Sequence, residues 1–182
     1  MLWGAMNGSL ELREAGGETR LTARFPYGRE TEIAAGRFEV IAPRAFAARL
    51  EAGEEIHLLS GHDFNHPLAS RAAGTLTLTD GDDALTVEAR IDAGTSWARD
   101  FIAANRSGLI RGLSPGFRVS AGGDRVEARG QGVLRTVTAA DLFEISAVTR
   151  PAYSEAQIEA RNWSSPAETG RRAIHPLNRW RL

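Results

Sequence analysis

A chain of 182 residues with 42% hydrophobic and 25% charged positions has material for one well-buried core, which argues for a single folded domain and against extended disorder. Its 22 basic and 23 acidic side chains leave a net charge of −1, so no overall field favours nucleic acid or an anionic membrane surface. Cysteine and lysine are both absent, which excludes disulfide scaffolds, thiol catalysis, cysteine-ligated metal centres, Ser–Lys dyads and a Schiff-base lysine.

The first twenty residues lack the basic-then-apolar layout of a secretory signal, and no apolar run approaches the ~20 residues of a membrane helix. The chain is therefore expected to stay in the cell that makes it. Alternation over residues 19–25 sets Leu21, Ala23 and Phe25 on one side and predicts a strand. Beyond Phe38-Glu39-Val40-Ile41, Pro43 suits a first helical position, Phe46 and Leu50 stand at i and i+4, and Gly53 supplies a stop. A short helix is expected there. Residues 56–60 form an apolar run, and residues 61–67 (GHDFNHP), bracketed by Gly61 and Pro67, are expected to be a loop. Leu76 and Leu78 alternate, residues 80–83 turn the chain, and Leu85, Val87, Ala89 and Ile91 alternate again, the clearest hairpin in the sequence. A longer helix follows, with Thr95 or Ser96 as its cap, Trp97, Phe101, Ile102 and Asn105 at helical spacing, and Gly108 at its end.

Residues 109–149 read as further strands, with turns at Gly122-Gly123 and around Gly130-Gln131-Gly132. In the last of them Phe143, Ile145 and Ala147 are expected on one face, and Leu142, Glu144, Ser146 and Val148 on the other. The expected fold class is α+β, mainly β, with a twisted or closed antiparallel sheet and two interspersed helices. From Arg161 onward five arginines face a single glutamate, a net +4 that leaves −5 on the first 160 residues. Residues 1–160 are thus expected to be the folded domain and residues 161–182 a basic tail.

Three stretches carry candidate chemistry. Gly112-Leu113-Ser114-Pro115-Gly116 matches the spacing of a nucleophile elbow, but Pro115 has no N–H to hold an oxyanion, and the flanks read as strand. Ser114 is either a nucleophile on another scaffold or a turn serine before proline. In residues 61–67, His62 directly follows a strand that would aim it as a proton acceptor, and the unperturbed imidazole pKa of ~6.5 suits that work. The alternatives are an exposed loop histidine, or a metal site drawing on His57, His62, Asp63 and His66. Glu144 sits in an apolar strand, where a carboxylate needs a partner. An imidazole to orient would serve, and so would water or an arginine at the edge of a barrel.

The ordered trio His62, Ser114 and Glu144, set in GHD, GLSPGF and FEISAVTRPAY, resembles the prohead (capsid maturation) serine proteases of tailed phages and of phage-like gene transfer particles, over about residues 20–161. That family is similar in fold to the herpesvirus assembly proteases, which implies an antiparallel β-barrel with a few surrounding helices. The resemblance implies a serine endopeptidase with Ser114 as nucleophile, His62 as base and Glu144 as third member, where the distant viral relatives use a second histidine. It implies no cofactor and no metal. Its partners would be the scaffold segment of a major capsid protein and other procapsid proteins, with self-association, no membrane and no specific nucleic acid. Its place would be inside the procapsid in the host cytoplasm. Because Pro115 cannot donate, the oxyanion candidate is the backbone or guanidinium of Arg150, whose other reading is a surface charge before a proline. A metal-dependent hydrolase and an inactive scaffolding component are the alternatives.

Overall fold

The computed structural model describes residues 9–15 and 18–149 of the chain. Arg150 and the basic stretch 161–182 lie outside the described residues. In chain order the elements are β1 (Ser9–Ala15), β2 (Glu18–Pro26), β3 (Thr31–Ala34), β4 (Arg37–Ile41), α1 (Ala47–Glu51), β5 (His57–Ser60), β6 (Asp63–Ser70), β7 (Leu76–Asp80), β8 (Ala84–Ile91), α2 (Ser96–Arg106), β9 (Gly112–Val119), β10 (Asp124–Arg129), β11 (Gly132–Val137) and β12 (Ala140–Val148). None of these helices is long and apolar enough to cross a membrane.

The mainly β character is as expected, but no closed barrel forms among the described residues. The strands make three four-stranded sheets, in the orders β1-β2-β8-β7, β10-β11-β4-β3 and β6-β5-β12-β9. Nor are they wholly antiparallel, since β4 runs parallel to β11 and β5 parallel to β12. The ladders end where the chain must bend. Pro26 closes β2 and Gly28 follows at φ +68°, while between β11 and β12 the N–H groups of Thr138 and Ala139 both turn onto Gly123 O. Burial rather than ladder closure unites the sheets. Phe25, Tyr27, Phe46 and Phe117 stack in sequence with centroids 6.2, 6.2 and 5.5 Å apart, inside one apolar cluster that draws on all three.

Several predicted elements stand where the pattern put them. The strand at 19–25 is β2, and the hairpin is β7–β8, closed by Gly81 N–H donating to Ala84 O. Helix α2 is capped by Thr95, whose Oγ1 accepts from Ala98 N–H at 3.3 Å. Other elements depart from the pattern. The helix expected from Pro43 begins only at Ala47, because Arg44 holds φ +59° and turns residues 43–46 out of helical geometry. The loop expected over 61–67 shrinks to Gly61-His62. Strand β6 starts at Asp63 and pairs with β5 through two register shifts, one that skips Leu68 and one that skips residues 64–66.

Candidate active site

Strands β5, β9 and β12 of the third sheet carry the residues of interest. Along β12 a bulge between Leu142 and Glu144 resets the alternation. Leu142 therefore joins Ile145 and Ala147 in the core, while Phe143 leaves it and lies under the guanidinium groups of Arg49 and Arg118, 4.5 and 5.4 Å from its ring centroid. This corrects the two faces expected from strict alternation, in which Leu142 and Phe143 held each other's places. Beyond the bulge Glu144 and Ser146 share the face opposite the core. On β9 Ser114 lies directly across from Ser146 and Gly116 across from Glu144, so these four residues occupy one face of the sheet.

His62 reaches this face from the β5–β6 turn. Gly61 and His62 both have positive φ, +68° and +64°, the signature of a two-residue turn matched to the twist of a hairpin. For glycine that conformation is free; for histidine it is a strain on the order of 1–2 kcal/mol, which the surroundings must hold. They do so from β12: Gly61 N–H donates to Ala147 O at 3.0 Å, and His62 N–H donates to Ser146 Oγ at 2.9 Å.

The side chains are joined as closely. His62 Nδ1 meets Glu144 Oε1 at 2.7 Å, and Ser146 donates its hydroxyl proton to Glu144 Oε2 at 2.6 Å. The Glu144 side chain is only 5% exposed, so a charge that would be costly alone is matched on both oxygens. Gly116 makes this possible, since an added Cβ there would collide with Glu144 Oε1. With Nδ1 given to the carboxylate, the other ring nitrogen of His62, Nε2, is buried and has no hydrogen-bond partner. Ser114 is buried at 6% exposure and makes no hydrogen bond to that nitrogen.

The other described histidines go elsewhere. His57 faces Glu55 at 3.7 Å and the edge of the Phe64 ring, and His66 pairs with Asp63 at 2.9 Å and packs on Trp97. Asp63 is engaged in its own turn. The Asn65 backbone N–H, 2.8 Å from Oδ1, is the main cause that holds its carboxyl below the usual aspartate range. Among the described residues no three histidine, aspartate or glutamate side chains converge on a point where a metal ion would sit. Two parts of the constellation, Ser146 and Gly116, entered the reading of the sequence only as a strand-face position and a motif glycine, not as parts of the site. Their signal was a small residue two places beyond a candidate site residue on the same strand face: Glu144-x-Ser146 and Ser114-x-Gly116.

A family model described as caudovirus prohead serine protease matches residues 10–169, nearly the whole chain. No curated protein and no solved structure matches it.

Proposed function

From the premise that the chain belongs to the caudovirus prohead serine protease family, a family of capsid maturation, we propose that it is a serine endopeptidase in which Ser114 is the nucleophile, His62 the base and Glu144 the orienting carboxylate. The observation that most supports this reading is the state of His62. Its Nδ1 is bonded to a buried carboxylate at 2.7 Å and its Nε2 is left without a partner, on a sheet whose facing strand carries Ser114. A carboxylate at Nδ1 fixes the tautomer with the proton on that nitrogen, so the lone pair is on Nε2, where a base needs it.

In the proposed reaction, Ser114 Oγ approaches Nε2 as substrate binds, a tightening that unbound sites commonly await. The proton passes from Oγ to Nε2 while Oγ bonds to the peptide carbonyl carbon. The resulting imidazolium is stabilised by Glu144, and it then returns the proton to the departing amine as the C–N bond breaks. Water, deprotonated by the same imidazole, releases the acyl group and restores Ser114. Pro115 has no N–H for the oxyanion, and the Arg150 backbone or guanidinium is proposed as donor.

The proposed substrates are scaffold-like segments of a major capsid protein and other procapsid proteins. The proposed setting is the interior of the procapsid in the host cytoplasm, where self-associated copies share a small volume with their substrate. No membrane, specific nucleic acid, cofactor or metal enters the scheme. Residues 161–182 are proposed to be a basic tail outside the protease domain of residues 1–160. The experiment is co-expression with a capsid-protein precursor. Ser114→Ala is expected to fold and to cut the precursor slower by on the order of 10⁶-fold, in practice not at all. Undiminished cleavage by that variant would remove the serine from the reaction.

A further inference from the structure

We propose that Ser146 is a positioning residue of this site, whose hydroxyl ties the main chain of His62 to the carboxylate of Glu144 and so fixes the imidazole at two points. The inference rests on the protease reading above and adds a residue that touches no substrate. A serine hydroxyl has one proton and two lone pairs. At Ser146 the proton goes to Glu144 Oε2 at 2.6 Å and a lone pair accepts the His62 N–H at 2.9 Å. The residue is fully buried, at 0% exposure, with its proton committed to a carboxylate, so it is poorly placed to compete with Ser114 as a nucleophile.

Its geometry suits another task. The direction of the His62 ring depends on a backbone held at φ +64° and on a carboxylate that would otherwise turn about its last bond. Ser146 restrains both. It donates to the one carboxylate oxygen that the imidazole does not use, and it accepts the one main-chain proton that His62 presents to β12. Removing the hydroxyl frees both the turn and the carboxylate, and with them the tautomer that leaves Nε2 unprotonated.

The test compares the full chain carrying Ser146→Ala, Ser146→Cys, Glu144→Gln and the Glu144→Gln/Ser146→Ala pair. The readouts are steady-state cleavage of a capsid-derived peptide and the ¹⁵N spectrum of the imidazole rings at neutral pH. Ser146→Ala is expected to lower kcat about 10- to 100-fold with KM within about twofold, as the loss of hydrogen bonds to a charged group implies. In the Glu144→Gln background the same change is expected to cost less, because the part of its effect that runs through the carboxylate is already gone and only the tie to the His62 main chain remains to be lost. His62 should carry its proton on Nδ1 in the wild type and show a mixture of tautomers in Ser146→Ala. Ser146→Cys keeps the shape of the side chain, slightly enlarged, with a weaker donor, and its kcat should fall between those of the wild type and Ser146→Ala. It also carries the test if the alanine variant does not fold. Wild-type kcat and tautomer in Ser146→Ala would overturn the proposal, as would equal losses in both backgrounds. Normal cleavage by Ser114→Ala would instead strike the protease reading, while the tautomer comparison would still decide the role of Ser146.

Discussion

Glu144 is the side chain on which the geometry turns. One oxygen holds the His62 ring, the other takes the Ser146 proton, and the space for both exists because residue 116 has no Cβ. Gly116→Ala is therefore expected to displace the carboxylate, destabilising the fold by about 1–3 kcal/mol as overpacking does, and lowering turnover well beyond what a folded control of equal stability loses. Thermal melting and peptide cleavage measured on the same sample would check it. Retained activity would mean that the carboxylate has room the geometry denies it. At this scale much was legible: a histidine after a strand, a serine between glycines, and a carboxylate in an apolar strand all declare themselves by residue type. Ser146 and Gly116 did not. Gly116 has no side chain to advertise and the Ser146 hydroxyl sits among apolar strand residues, so the importance of both comes from neighbours that are distant in sequence.

Among the elements, β12 decides which side chains meet. Its bulge sends Leu142 inward and Phe143 outward, and its two neighbours bring His57 alongside Glu144 from one side and Gly116 from the other. Local alternation made the strand readable but not the bulge, because an extra residue shifts parity without altering composition. The parallel pairing of β5 with β12 was equally hidden, since no turn connects the two strands. Hairpin β7–β8 and helix α2 were the most legible, with their turn and cap residues next to them in sequence. The first hairpin β1–β2 meets β7–β8 in one sheet, and a part-buried hydrogen bond ties the residue after β2 to the end of β7: Tyr27 donates to Asp80 Oδ1 at 2.7 Å. Burial first, and then Asp80, push the Tyr27 phenol far above the ordinary tyrosine value. The sign follows: a phenol that ionises only in the unfolded chain lets stability fall as pH rises past ~10. Tyr27→Phe is expected to lose about 1 kcal/mol at neutral pH and to remove part of that alkaline decline, as denaturant titrations at several pH values would show. An unchanged alkaline slope would contradict the burial of this pair.

For the molecule as a whole, one core serves three sheets. Leu113, Phe117, Ile145 and Ala147 of the third sheet point into it, and the alternation of β9 and β12 leaves Ser114, Gly116, Glu144 and Ser146 on the sheet's opposite face. The core side of the sheet thus supports the face that carries the candidate site. Mainly β architecture could be inferred from periodicity. Division into three sheets could not, because closure depends on how strand ends bend, at Pro26, Gly28 and Thr138-Ala139, rather than on which residues alternate. The central claim is that His62 activates Ser114, and covalent capture addresses it most directly. A fluorophosphonate, which loses fluoride when a serine oxygen attacks phosphorus, is added to wild type and to His62→Ala, and the adduct is located by mass spectrometry. The expected result is a single adduct on Ser114, formed at least about a hundredfold more slowly without the imidazole. An adduct on another residue, or equal labelling of the two proteins, would contradict it.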